Sequence, residues 1–169
     1  RLGLAAGMDK NGDFIDALAS LGFGFLEIGT VTPYPQKGNP KPRLFRLGSD
    51  KGLVNGMGFN NKGVDHLIKN LNNRKSKIPL GISIGKNFDT PNENAYQDYL
   101  FCLRGIYKYA DYVAINISSP NTKNLRMLQL EGPLNVLLAI LKEEQQKLSK
   151  THGYKPLFIK ISPDNTVGD

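Results

Sequence analysis

Short apolar runs recur along the chain at Leu2 to Gly7, Phe23 to Val31, Leu80 to Gly85, Asp111 to Ile117 and Leu157 to Ile161. Each is short enough for a buried strand, and most are separated by stretches with helical periodicity. The first helix spans about Asp13 to Leu21. In the second, about Asn60 to Asn73, Val64, Leu67, Ile68 and Leu71 follow the i, i+3, i+4, i+7 template. Tyr96, Leu100, Leu103, Tyr107 and Ala110 form a stripe along Asn92–Ala110, and Leu134, Leu137, Leu138 and Leu141 follow Pro133 in a helix's first turn. Strands that alternate with helices pair in parallel through right-handed crossovers. Two architectures remain, a doubly wound sheet and a (β/α)8 barrel. The first strand-turn, Ala5-Ala6-Gly7-Met8-Asp9-Lys10, lacks the G-x-G-x-x-G dinucleotide fingerprint. A barrel needs about 250 residues and eight strands, so on that reading residues 1–169 are one partial domain with about five strand-helix units.

Between the second strand and second helix lies Thr32 to Gly58, rich in Pro, Gly and basic residues. An excursion of this length is expected to be functional or disordered, with room for a small hairpin. The formal charge is +7, but the basic residues are dispersed. Their densest cluster, Arg74-Lys75-Ser76-Lys77, falls in an expected loop, so a solvated surface is favoured over a nucleic-acid site. No apolar run approaches the ~18–20 residues of a membrane span. The chain opens inside a strand-like stretch at Arg1-Leu2-Gly3-Leu4, which suggests a piece of a longer protein. Cys102 is the sole cysteine, which excludes an internal disulfide and a multi-cysteine metal site; it is expected to be a core thiol. His66 and His152 lack ligand spacing and are expected at the surface, so no metal site is expected.

Polar residues gather where the strands end: Asp9 and Lys10, then Thr30, then Ser83, Lys86 and Asn87, then Asn116, Ser118, Ser119 and Asn121, and finally Lys160. In a parallel barrel these ends converge on the face that carries active sites. Ala5-Ala6-Gly7 offers so little bulk that a flat ligand could rest on backbone. Lys160 sits within Leu157-Phe158-Ile159-Lys160-Ile161, where a charge facing a core is costly without an anion. Lys10 and Lys160 together suggest an anionic partner. Asn116-Ile117-Ser118-Ser119-Pro120-Asn121 runs from a buried strand into a proline-fixed turn that can hold a hydroxyl at a set angle. No histidine is placed to take a serine proton and no G-x-S-x-G elbow is present, so a Ser-His-Asp hydrolase is disfavoured.

Five segments occur in order: Leu4 to Lys10, Glu27 to Pro33, Lys41 to Leu47, Met57 to Asn61, and Asn116 to Asn121. Over essentially the whole chain they closely resemble the quinone-linked class 2 dihydroorotate dehydrogenases. The resemblance implies the (β/α)8 barrel and an FMN enzyme of pyrimidine biosynthesis that oxidises dihydroorotate to orotate and reduces a membrane quinone. In that family a proton leaves C5 of the substrate to a base and a hydride moves from C6 to flavin N5. The base corresponds to Ser119, where the class using soluble acceptors carries cysteine. Lys10, Asn55, Gly56, Met57, Gly58, Phe59, Asn116 and Asn121 correspond to substrate-binding positions. Ala6, Gly7, Met8, Asp9, Lys10, Thr30, Ser83, Asn116 and Lys160 correspond to FMN-binding positions. Thr122 and Phe59 correspond to a proton relay, and Arg46 to a position near the quinone entrance. Also implied are later strands that supply the FMN phosphate site and close the barrel. The resemblance further implies peripheral contact with the cytoplasmic face of a bacterial inner membrane, through a segment outside this chain.

Two positions and the C-terminal tail depart from the family pattern. Gly56 stands where arginine is usual. Ser83 stands where an asparagine usually meets FMN; serine keeps a donor and an acceptor but reaches less far. The tail Asn165-Thr166-Val167-Gly168-Asp169 does not begin the helix expected next. Two other readings remain at this stage: a Schiff-base lyase, for which a lysine inside a barrel strand such as Lys160 is suited, and an inactive partial barrel.

Overall fold

The computed structural model describes residues 2–163, so the tail at 165–169 lies outside the described residues. In chain order the main elements are β1 (Gly3–Leu4), α1 (Ile15–Ala19), β2 (Phe25–Val31), β3 (Leu44–Leu47), β4 (Gly52–Asn55) and α2 (Val64–Asn73). They continue with β5 (Leu80–Ile84), α3 (Ala95–Ile106), β6 (Tyr112–Asn116), α4 (Glu131–His152) and β7 (Leu157–Lys160). One five-stranded sheet has the order β1-β2-β5-β6-β7, with every neighbouring pair parallel.

That order separates the two architectures. A doubly wound sheet reverses direction and leaves its first strand inside the sheet. Here β1 lies at an edge and each later strand adds on the same side, which is the winding of a (β/α)8 barrel. The excursion folds back as the antiparallel hairpin β3–β4, for which the sequence left room.

The two faces of the sheet differ. Leu26, Ile28, Leu80, Ile82, Val113 and Ile115 are fully buried and share one core with Leu67, Leu103, Ile106 and Leu141 of the helices. Cys102 is part of that core, as expected. The alternate residues Phe25, Glu27, Tyr112, Ala114 and Phe158 line an open recess of about 710 Å³. Its aromatic rings stack edge to face, Phe25 on Tyr112 at 6.4 Å and Tyr112 on Phe158 at 5.2 Å between centroids. Glycine at position 81 makes this layer possible, because a Cβ there would fall 2.0 Å from the Tyr112 ring.

Several boundaries are shorter than the periodicity predicts, and each has a local cause. β1 covers only Gly3–Leu4 because it has one sheet partner; by Gly7 the chain has left the ladder and donates to the Gly29 carbonyl at 2.9 Å. α1 starts at Ile15 because the Asp9 carboxylate accepts the N–H groups of Asp13 (3.0 Å) and Phe14 (2.9 Å), fixing a loop ahead of the helix. α2 starts at Val64 because the Asn61 side chain accepts the Gly63 N–H at 2.8 Å while Gly63 takes a left-handed φ of 82°. The stretch at 92–110 keeps its helix only at Ala95–Ile106, with a 3-10 turn at each end. In the basic cluster, Arg74 donates to the carbonyls of Ser76 and Ile78, so one of its cations has a structural role.

Leu67 is fully buried, whereas Leu53 on the hairpin is 59% exposed. In the full-length protein, Leu67→Ala is expected to cost about 2–5 kcal/mol of stability through lost burial and a cavity. Leu53→Ala should stay within about 0.5 kcal/mol. Urea unfolding of both variants checks the contrast, and equal losses would contradict the division between core and hairpin.

Candidate active site

Three strands deliver one polar chain to the end of the sheet. Asn116 at the end of β6 donates through Nδ2 to Thr30 Oγ1 at 2.8 Å, and Thr30 Oγ1 lies 2.9 Å from Ser83 Oγ on β5. All three residues are buried. Whichever hydroxyl donates within the Thr30–Ser83 pair, one hydroxyl proton and the second Asn116 amide proton remain for an outside acceptor. Asn116 Oδ1 accepts from the N–H (3.1 Å) and hydroxyl (3.0 Å) of Ser118, so the amide orientation is determined. Tyr99, fully buried on α3, donates its hydroxyl to the Asn116 carbonyl at 2.9 Å. Burial, with the charges of Cys102 and Asp98, raises the pKa of that phenol and keeps it a donor.

The next turn carries Ser119. Its hydroxyl oxygen accepts the N–H of Asn121 at 3.2 Å, bracing the side chain across Pro120. Arg126 donates to the Ser118 carbonyl at 3.2 Å, and Gln129 to the Ile117 carbonyl at 2.9 Å, which anchors the turn from behind. Thr122 is buried, yet its hydroxyl oxygen has no partner among the described residues. A buried hydroxyl in that state normally signals a bound partner or a functional role.

The loop from Asn55 to Phe59 faces this turn. Asn121 Nδ2 reaches the Asn55 carbonyl at 3.4 Å, and Asn39 Nδ2 bridges the carbonyls of Gly56 (2.9 Å) and Asn121 (3.4 Å). A Cβ at Gly56 would meet nothing nearer than Asn121 Oδ1 at 3.9 Å, so the place of the usual arginine has room for a side chain. Gly58 and Phe59 have left-handed φ values of 70° and 52°. Ser83, the other departure, is integrated by its bond to Thr30.

Positive charge collects beside these donors. Burial, and then the charges of Arg43 and Lys160, hold the Lys10 ammonium below its ordinary pKa. None of Lys10, Arg43 and Lys160 makes an ion pair among the described residues. Lys160 is exposed, on the strand position that pairs with Asn116. Ala6 is half-buried, and the space above Gly7 is open, with nothing within 4 Å of a Cβ built there. Met8 is 71% exposed. Asp9 sits beside the site, but its carboxylate is engaged by the loop N–H groups described above.

Lys86 has a different setting from the other strand-end cations. It is 1% exposed and donates to the carbonyls of Asn87 (3.2 Å) and Thr90 (2.8 Å), holding the loop after β5. Sequence reasoning assigned no role to Gln36, Asn39, Arg43 or Asn61, all of which organise the excursion. The available signal was the density of amide side chains in a segment with little secondary structure to satisfy its backbone.

His66 is more than the surface residue expected. Its Nε2 lies 2.7 Å from Asp13 Oδ1, and Lys62 and Asn70 also reach Asp13, at 3.1 and 2.9 Å. This cluster clamps the loop carrying Lys10 to α2. Desolvation pushes the Asp13 carboxyl up, but hydrogen bonds from His66, Lys62 and Asn70 outweigh it and hold the pKa at about 2. A carboxyl depressed on folding adds stability above its unfolded value, about 3.9, and loses it as pH falls through the folded value. Asp13→Asn should therefore weaken the acid sensitivity of stability between about pH 4 and about pH 2. Urea denaturation across that window checks this, and identical acid profiles would contradict it.

A family model described as Dihydroorotate dehydrogenase matches residues 1–168. The dihydroorotate dehydrogenase (quinone) of Methylobacillus flagellatus is 63% identical over 168 residues, covering 99% of this chain and 50% of the relative. That of Acinetobacter baylyi is 59% identical over 169 residues, covering 99% of this chain and 51% of the relative. The crystal structure of ligand-free DHODH from Eimeria tenella matches with a TM-score of 0.90 at 41% identity, over 99% of this chain and 52% of that one. The chain thus spans about half the length of these relatives. With five parallel strands wound in one direction and polar ends converging on one edge, the chain belongs to the dihydroorotate dehydrogenase family.

Proposed function

We propose that the protein containing this chain oxidises (S)-dihydroorotate to orotate in pyrimidine biosynthesis, with FMN as cofactor and a membrane quinone as final acceptor. The observation that carries this reading is the partly desolvated Lys10, which shares its surroundings with Arg43 and Lys160 and has no carboxylate partner among the described residues. Such a cluster suits an anionic substrate beside an electron-accepting ring. Asn55, Asn116 and Asn121 supply amide groups that both donate and accept, as a ring with alternating N–H and C=O groups requires.

The residues present fit FMN. Ala6 and Gly7 leave backbone open to a flat ring, Thr30, Ser83 and Asn116 retain unused donors, and Lys10 and Lys160 add positive charge. FMN, when bound, supplies the two-electron acceptor that none of the twenty side chains provides. Ser119 serves as the base, with its hydroxyl oriented by the Asn121 N–H. A serine is a poor base unless its own proton can leave and water is excluded. The Thr122 hydroxyl, which has no partner among the described residues, can pass this proton on, and the buried Phe59 ring keeps water out.

The hairpin exposes Leu44, Phe45, Leu47, Leu53 and Val54 around Arg46, an apolar surface suited to the approach of a quinone. No helix among the described residues is long and apolar enough to cross a membrane. Peripheral attachment, through a segment outside this chain and at the cytoplasmic face of a bacterial inner membrane, is the arrangement we propose. The lyase reading has no such support: the family is that of the dihydroorotate dehydrogenases, and no observation among the described residues marks Lys160 as a nucleophile.

In the full-length flavoprotein, Ser119→Ala should lower dihydroorotate turnover at neutral pH by about 10²–10⁴-fold and leave the flavin absorbance intact. Unchanged turnover would remove Ser119 as the base. Thr122→Val keeps the shape and deletes a hydroxyl that has no partner among the described residues, so stability should change by less than about 0.5 kcal/mol. Turnover should still fall. A Thr122→Val enzyme with wild-type turnover would exclude the relay.

A further inference from the structure

The substrate loop shows a regular pattern of tied carbonyls. Gly56 O accepts Asn39 Nδ2 at 2.9 Å and Met57 O accepts the Asn39 N–H at 3.1 Å. Gly58 O accepts Gln36 Nε2 at 3.0 Å and Phe59 O accepts Asn61 Nδ2 at 2.7 Å. Four successive carbonyls are thus held by donors of the protein itself. The N–H groups of Gly58, Phe59 and Asn60 have no hydrogen-bond partner among the described residues, although Gly58 and Phe59 are buried. A buried N–H normally finds an acceptor.

Peptide planarity links the two observations. In a trans peptide the C=O of one residue and the N–H of the next point in opposite directions. The Met57 carbonyl therefore sets the Gly58 N–H, the Gly58 carbonyl sets the Phe59 N–H, and the Phe59 carbonyl sets the Asn60 N–H. Phe59 is a non-glycine residue at φ 52°, a conformation that costs on the order of 1 kcal/mol and needs outside support.

Gln36 is the side chain that connects this loop to the rest of the site. While its Nε2 donates to Gly58, its Oε1 accepts Asn87 Nδ2 at 2.8 Å and the Phe88 N–H at 3.0 Å. A backbone carbonyl on one side and a backbone N–H on the other leave no ambiguity in the amide orientation. The Gln36 backbone also pairs with Asn61 in both directions at 3.0 Å. Asn87 in turn donates to the Tyr34 carbonyl at 2.9 Å and follows Lys86 in the loop after β5.

We propose that Gln36 is a positioning residue for the anionic substrate, fixing the peptide between Gly58 and Phe59 so that consecutive backbone N–H groups are presented to the substrate carboxylate. This assignment rests on the dihydroorotate oxidation proposed above. Gln36 itself does not touch the substrate; it acts through the orientation of the loop. Asn39 and Asn61 set the neighbouring peptides, and Gln36 hydrogen-bonds the loop directly to Asn87 and Phe88, beyond the strand end that carries Ser83.

Two near-isosteric variants of the full-length holoenzyme test it. Gln36→Met removes the donor without adding charge, and Gln36→Glu puts a carboxylate oxygen against the Gly58 carbonyl. Both should raise KM for dihydroorotate and the Kd for orotate, measured by calorimetry, about tenfold. Because the lost interaction is equal in ground and transition states, kcat should stay within about twofold. Flavin absorbance should be unchanged. A protonated glutamate can donate to Gly58 again, so the Gln36→Glu defect should shrink as pH falls from about 8 to about 5, whereas Gln36→Met should not recover. Wild-type KM and Kd in Gln36→Met would overturn the assignment, as would a parallel loss of kcat and flavin that marks general disruption. A wild-type holoenzyme unable to oxidise dihydroorotate would refute the parent reading; normal wild-type turnover with unaffected variants would refute only the role of Gln36.

Discussion

The bond from Asn116 to Thr30, and from Thr30 on to Ser83, is the interaction on which the site depends. It joins residues 86 positions apart in the chain across three adjacent strands. The chain is buried, so each unmade bond would leave a polar group without water, at a cost of about 1–3 kcal/mol. This penalty resists slippage of strand register at the polar edge. A one-residue slip would also turn each side chain to the opposite face. The same register therefore places Ile82 and Ile115 in the helix-facing core and Ser83 and Asn116 toward the site.

Above that edge, the excursion from Thr32 to Gly58 presents a different problem. Apart from the hairpin it has little ladder to satisfy its backbone groups. Side-chain amides take the place of a ladder: Asn61 serves Thr32, Phe59 and Gly63, Asn39 serves Gly56, and Asn87 serves Tyr34. An amide carries both donor and acceptor, so one residue can fix two segments at once. The result is an ordered loop without regular secondary structure, in which tied carbonyls leave N–H groups available.

Electrostatics add a second constraint. Lys10 is partly desolvated next to Arg43 and Lys160, and an anion is what would relieve such an arrangement. The neighbouring cations that serve structure are treated differently. Lys86 is satisfied by two backbone carbonyls, and Arg104 is paired with Glu144 at 2.8 Å on the outer helices. Arg43 combines the two situations, because it donates to the carbonyls of Lys37 and Asn39 while its charge bears on Lys10.

Much of this was legible in the residue order. Strand and helix periods are local properties, so the five strands, the later helices and the buried Cys102 follow from spacing alone. Polar strand ends were equally visible, as was the turn at Ser119. The boundaries of β1, α1 and α2 were not, because they are set by Asp9, Asn61 and edge pairing rather than by propensity. His66 read as an ordinary surface residue until Asp13, 53 positions away, was brought beside it. Choosing a barrel over a doubly wound sheet from the residues themselves required strand order, which no local period encodes. The sequence by itself determined which side chains of each strand are apolar and where polar residues interrupt them. Only tertiary structure decided which of those residues meet, because contacts such as Gln36 with Gly58 and Asn87 depend on the path of the backbone between strands.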